Sequence, residues 1–173
     1  MPVRAALGAS PETLQDQVLA AEERYWDAYE LAVAGRPVAA LYLAGFAAET
    51  LLKTAGFRFD GARPADQVDA MLAPARRFGK THFAHVRDEG YHSLDFWLSF
   101  LVAKRGSAGR PLTAALSAAL NGCVARAHSL WAVGLRYRSA GSPPGLGGLI
   151  ETNLLAFLED VDWLRKHHSQ LWT

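Results

Sequence analysis

One cysteine, Cys123, stands in a chain of 173 residues, so no disulfide can close within it. Cys123 lies in a helical run among apolar neighbours and reads as a small buried hydrophobe. Such thiol-poor usage suits a reducing cytoplasm. Net charge is scarce too: 18 Lys and Arg against 17 Asp and Glu leave +1, so the whole molecule is no polycation for nucleic acid. No apolar run free of Glu and Lys reaches the roughly 18 residues that a membrane span needs. The opening Met1-Pro-Val-Arg-Ala-Ala-Leu-Gly has no adequate apolar stretch for a secretory leader. Internal repeats and sustained heptads are missing, and alternating β-patterns are scarce. The expectation is a soluble, cytoplasmic protein of one domain over residues 1–173, with residues 1–10 as a flexible lead. That length buries a core without disulfide or metal, and no cofactor is called for.

What is present is helix. The run Pro37-Val-Ala-Ala-Leu-Tyr-Leu-Ala-Gly-Phe-Ala-Ala-Glu-Thr-Leu-Leu-Lys-Thr-Ala-Gly56 is apolar nearly all round, which places it between other helices rather than on top of them. Pro37 suits the first turn and Gly56 the position past the last one. Ala44, Gly45 and Ala48 lack bulk and allow a neighbour to approach closely. Glu49 and Lys53, four apart, can meet along one side.

Before it, Ser10-Pro11-Glu12 reads as a helix start, followed by Leu14, Val18, Ala21, Tyr25, Ala28, Tyr29 and Ala32 at helical steps as far as Gly35. Residues 56–66 read as a loop, and a short helix is expected from Asp66 to Ala73, ahead of Pro74. Tyr91 to Ala103 favours helix, although its aromatic content leaves a strand open for part of it. A long helix opens at Pro111 and carries its apolar stripe through Trp131 to Gly134. Gly141-Ser-Pro-Pro-Gly-Leu-Gly-Gly148 breaks the pattern, and a final helix runs from Leu149 to His168 with Leu154, Phe157, Leu158, Val161 and Leu164 inward. The fold class is therefore all-α: an up-and-down helical bundle of four long helices plus one or two short helices.

Charge is uneven along the chain. Residues 1–75 hold six basic and ten acidic groups, whereas 76–110 hold seven basic, three acidic and three His. This is a solvated loop region with a chance bias, or a local basic surface for phosphate. His82, His85 and His92 with Asp88, Glu89 and Asp95 match no zinc spacing, so no metal site is expected. The Gly-rich 141–148 segment lacks the Gly-Lys-Ser/Thr ending of a phosphate loop and reads as a connector. Trp26, Trp97, Trp131 and Trp163 sit mostly at core spacing, and Trp172 beside the terminus reads as a partner contact.

Tyr42-Leu43-Ala44-Gly45-Phe46-Ala47-Ala48-Glu49 with Leu51-Leu52-Lys53 resembles the second helix of HEPN-domain proteins, small helical bundles associated with nucleotides and RNA. Gly79-Lys80-Thr81-His82 resembles the entry to that family's middle region, and Trp131 with Leu135-Arg136-Tyr137-Arg138 its W…RY segment. The resemblance implies a homodimer, and a partner such as a nucleotidyltransferase or a toxin–antitoxin component. Catalytic members are metal-independent ribonucleases with an Arg-x(4–6)-His motif at the last long helix. Here Arg136 and Arg138 have no His after them until His167. Arg76 or Arg77 with His82, and Arg87 with His92, fit the spacing, yet 14 Arg and six His give roughly one or two such pairs by chance.

The preferred reading is thus a non-catalytic binding or partner module, with Glu49, Arg77, His82, Arg136 and Arg138 as ligand-binding candidates for a nucleotide or RNA phosphate. The alternatives are a metal-independent ribonuclease using Arg77, His82, Arg87 and His92, and a purely structural protein–protein interaction module. Glu49 needs a partner wherever it is buried: Lys53, Tyr42 or a neighbouring Arg as a structural pair, or a ligand at the bottom of a cleft.

Overall fold

The computed structural model describes residues 12–87, 89–138 and 144–173. Within them lie six α-helices: α1 (Leu14–Val33), α2 (Pro37–Phe59), α3 (Val68–His82), α4 (Leu94–Ser107), α5 (Ala114–Leu130) and α6 (Leu146–Trp172). Two 3₁₀ turns, Glu89–Tyr91 and Val133–Tyr137, lie between α3 and α4 and between α5 and α6. No strand occurs among the described residues, so the chain is an all-α helical bundle.

α2 is the axis. Seventeen of its 23 residues are buried, and α1, α4 and α6 pack around it. By length and composition α2 is also apolar enough to cross a membrane, but 78% of the qualifying window is buried inside the bundle. Two of its glycines, Gly45 and Gly56, also make room for aromatic rings. A Cβ built on Gly56 would lie 2.6 Å from a Phe100 ring carbon, so the glycine makes room for that ring. Around this contact the rings of Phe57, Phe96 and Phe100 stand edge-on to Trp97 at 5.0–5.8 Å, the favoured aromatic geometry. The centre of the core is therefore the meeting of α2 with α4.

Helix boundaries differ from the pattern in instructive ways. The expected cap at Ser10-Pro11 and the flexible lead of residues 1–10 fall outside the described residues. The N-cap of α1 is Thr13, which accepts from the Asp16 N–H while the Asp16 carboxylate accepts from the Thr13 N–H, a reciprocal capping box. α2 runs three residues past Gly56, because packing of Phe57 on Phe100 outweighs the glycine stop signal.

The short helix expected to end before Pro74 instead runs through it to His82. A proline inside a helix removes one hydrogen bond and strains the previous turn, at about 3 kcal/mol. Buried Ala75 and Gly79, the latter against Phe96 and Phe83, hold the helix together beyond it. The basic stretch from Arg76 to His82 is thus helix and not loop. α5 stops at Leu130, short of the expected Gly134, and Trp131 caps it in an extended conformation. α6 begins at Leu146, so Gly147 and Gly148 belong to the helix, and among the described glycines of this segment Gly145, at φ +82°, makes the turn. The six helices among the described residues agree with the expected four long and one or two short: four have 17–27 residues, and the two shorter ones, α3 and α4, have 15 and 14.

Candidate functional site

The ligand candidates separate into three places. Arg136 and Arg138 belong to the segment that leaves α5. Trp131, 4% exposed, turns back onto α2 and donates from Nε1 to the Tyr42 carbonyl at 3.1 Å. That anchor sets the 3₁₀ turn Val133–Tyr137 beside the head of α2. The result is a cleft of about 520 Å³ between Gly35–Ala39 with Tyr42 on one side and Leu135, Arg136 and Arg138 on the other.

Three guanidiniums line this cleft, those of Arg36, Arg136 and Arg138, and no carboxylate does. None of the three is ion-paired among the described residues; the Arg136 guanidinium lies over the exposed Tyr137 ring at 4.6 Å. The head of α2 adds to the same sign of potential. Arg36 is its N-cap and offers no side-chain cap, and Pro37 has no N–H. The first-turn N–H groups of Val38 and Ala39 therefore lack intrahelical acceptors. Together these groups make a concave, cationic surface that suits an oxyanion.

Glu49 lies elsewhere. It is twelve residues along α2 from Pro37, about 18 Å at the helical rise, and does not line the arginine cleft. It is fully buried and shared by two partners: Lys53 Nζ at 2.7 Å from Oε1 and His92 Nδ1 at 3.0 Å from Oε2. Lys53 also stands over the Trp97 ring at 5.4 Å. Of the partners anticipated for Glu49, Lys53 is the one found, and His92 joins it from 43 positions away.

His92 itself is 35% exposed, at the end of a strained turn. Glu89 and Tyr91 hold φ of +44° and +74°, a region that costs non-glycine residues of order 1–3 kcal/mol each. The turn is fastened by the Glu49–His92 contact, by Trp97 Nε1 donating to the Tyr91 carbonyl at 2.9 Å, and by Arg76 stacked over the Tyr91 ring at 4.0 Å.

Arg77 and His82 occupy a third place, the outer side of α3, and both are exposed. The His82 ring stacks on Phe78 at 3.8 Å, with Nδ1 3.0 Å from the Phe78 carbonyl. Neither residue lines the neighbouring cleft of about 530 Å³, where Arg76, Lys80 and Arg87 are accompanied by Glu89. A larger cleft, about 630 Å³, opens between the α2–α3 loop and α4. Its lining includes Asp60 and Asp66, and its Lys104 is held by Asp60 at 2.7 Å, a poor electrostatic match to phosphate. Among the described residues no group of three or more His, Cys, Asp or Glu is arranged to hold a metal. Trp172, read as a partner contact, packs beneath the Arg58 guanidinium at 4.6 Å within the chain.

Arg36 escaped the sequence reading. Its one signal is a basic residue directly before the first-turn proline, where Ser, Thr, Asp or Asn would ordinarily cap. No family profile, curated protein or solved structure matches this chain.

Proposed function

We propose that this protein is a non-catalytic, HEPN-like binding module that takes a phosphate group of a nucleotide or RNA in the cleft of Arg36, Arg136 and Arg138. The observation that carries the reading is the convergence of three unpaired guanidiniums on the uncapped head of α2, with no carboxylate in the lining. Arginine offers forked donors that match phosphate oxygens, and the helix start supplies backbone N–H groups of the same polarity. No imidazole lines this cleft, so its chemistry is charge neutralisation and hydrogen bonding rather than proton transfer. The same reading includes a cytoplasmic homodimer and a nucleotidyltransferase or toxin–antitoxin partner. Titration with ATP and with a short single-stranded RNA tests the site. Arg136→Ala/Arg138→Ala should weaken binding at least tenfold with the helical spectrum unchanged, and equal affinity in the folded variant overturns the assignment.

A second reading rests on a different observation, the Glu49–His92 contact. A buried carboxylate that orients a partly exposed imidazole is an arrangement that general acid–base catalysis uses. On this reading the protein is a metal-independent ribonuclease using Arg87 and His92. RNA cleavage in EDTA that is lost in His92→Ala and kept in His82→Ala would favour it. Absence of cleavage by the unaltered protein removes it.

A further inference from the structure

The outer side of α1 presents an apolar stripe where a surface helix is ordinarily polar. The inner side is set by Leu14, Gln17, Ala21, Tyr25 and Ala28, all buried. Opposite to it, Leu19, Trp26 and Val33 recur every seven residues and are 55%, 48% and 77% exposed. With 3.6 residues per turn, these three and the intervening Glu23 and Glu30 fall within about 40° of one line along the helix. Tyr29, 47% exposed, borders the stripe, edge-on to Trp26 at 6.2 Å. The Trp26 indole is fixed in place: its Nε1 donates to Glu22 Oε1 at 3.0 Å, and the Arg165 guanidinium lies over the ring at 5.3 Å. A satisfied polar edge and an exposed, held ring are the properties of an interface anchor.

The charges that α1 itself places around the stripe carry one sign. Asp16, Glu22, Glu23, Asp27 and Glu30 all project within about 80° of its midline by helical geometry, and α1 places no Lys or Arg there. Arg24 points away and pairs with Asp27 at 2.7 Å, and Arg165 of α6 pairs with Glu22 at 2.7 Å. Glu23 and Glu30, in the middle of the apolar stripe, have no ion pair among the described residues. Self-pairing through this face would bring the Glu23 and Glu30 of both copies together, which like-charge repulsion opposes.

We infer that the outer face of α1 docks a basic amphipathic helical segment of a partner protein, its apolar side on Leu19, Trp26 and Val33 and its Lys or Arg residues on Glu23 and Glu30. The mode is helix against helix, with a ladder of apolar anchors for affinity and charge for choice of partner.

A synthetic Lys/Leu peptide of roughly 18 residues, patterned at helical spacing, serves as ligand, beside a scrambled peptide of the same composition. Binding is followed by tryptophan fluorescence and calorimetry. The patterned peptide should bind at least tenfold more tightly than the scrambled one. Glu23→Lys/Glu30→Lys and, separately, Trp26→Ala should each remove at least tenfold of that affinity while the helical spectrum holds. Arg136→Ala/Arg138→Ala should leave it unchanged, which separates this surface from the phosphate cleft. Equal binding of both peptides, or an unaltered affinity in Glu23→Lys/Glu30→Lys, overturns the inference. So does a self-associated protein that Trp26→Glu converts to monomer, since the face would then belong to a second copy.

Discussion

The indole of Trp131 occupies the space that any side chain at Gly45 would need. A Cβ built on Gly45 would lie 2.0 Å from Trp131 Cδ1 and 2.2 Å from both Cγ and Nε1. These are inner ring atoms of a buried tryptophan, so the conflict cannot be relieved by a small swing of a chain end. The contact also bears on the proposed phosphate cleft, because Trp131 anchors the segment that carries Arg136 and Arg138 beside the head of α2.

Gly45→Ala is expected to destabilise the protein by about 1–3 kcal/mol, the range for overpacking a close-packed core, despite the better helix propensity of alanine. It should also weaken ATP or RNA binding at the arginine cleft by displacing Trp131. Gly106→Ala in α4 is the control: a Cβ there meets nothing within 4 Å. That change should leave stability equal or raise it by up to about 1 kcal/mol. Urea unfolding of both variants checks the contrast.

Removing one member of the Glu49–Lys53 pair leaves a buried charge alone. Lys53 is 7% exposed and Glu49 fully buried, so Glu49→Ala should cost about 3–5 kcal/mol. Glu49→Leu/Lys53→Met exchanges the pair for apolar groups of similar volume. It should cost clearly less than the sum of the single changes, with His92 as the one partner left over. A double-mutant cycle in urea decides this, and additive losses would contradict the coupling.

His168 supplies a pH dependence. Burial, with help from the Arg58 charge and against a bond to the Leu51 carbonyl, pushes its pKa down to about 4. His168 Nε2 lies 3.0 Å from Thr54 Oγ1. The folded state thus holds a neutral ring, while the unfolded chain protonates near 6.5. The unfolded state binds more protons between these values, so stability is full above pH 6.5 and falls as pH drops toward 4. The loss reaches about 3 kcal/mol at 1.4 kcal/mol per unit. Asp16, Asp66 and Asp162, held below the ordinary carboxylate value, contribute only at lower pH. His168→Gln should flatten the 4–6.5 window in denaturation curves; an unchanged slope refutes the assignment.

Cys123 should resist modification in the native protein. Burial first, and then its bond to Asp160, pushes the thiol up to about 12. Its Sγ lies 3.2 Å from Asp160 Oδ1 and 3.3 Å from the Asp160 carbonyl. Since the thiolate is the nucleophile, iodoacetamide at pH 8 should label it only after urea unfolds the chain, as read by intact mass. Ready labelling of the folded protein would contradict the buried environment.

The all-α class, the central position of the Pro37–Gly56 helix and the inward face of the last helix were legible in the sequence. Each follows from hydrophobic periodicity, a local property that side-chain burial enforces one helix at a time. Leu154, Phe157, Leu158, Val161 and Leu164 are all buried, as their spacing requires. The Glu49–Lys53 contact was legible for the same reason, being one helical turn.

What the tertiary structure alone decided involves residues far apart in the chain. Pro74 does not end α3, because packing at Ala75 and Gly79 exceeds a local penalty. Trp131 ends α5 instead of continuing its stripe, since its ring finds a place at Gly45 and a carbonyl at Tyr42. His92 reaches Glu49, and Arg36 meets Arg136 and Arg138, across separations of 43 and about 100 residues. Helical periodicity carries no information on such pairings. They depend on which ring fits which gap and on which loop the chain connectivity brings to the head of α2.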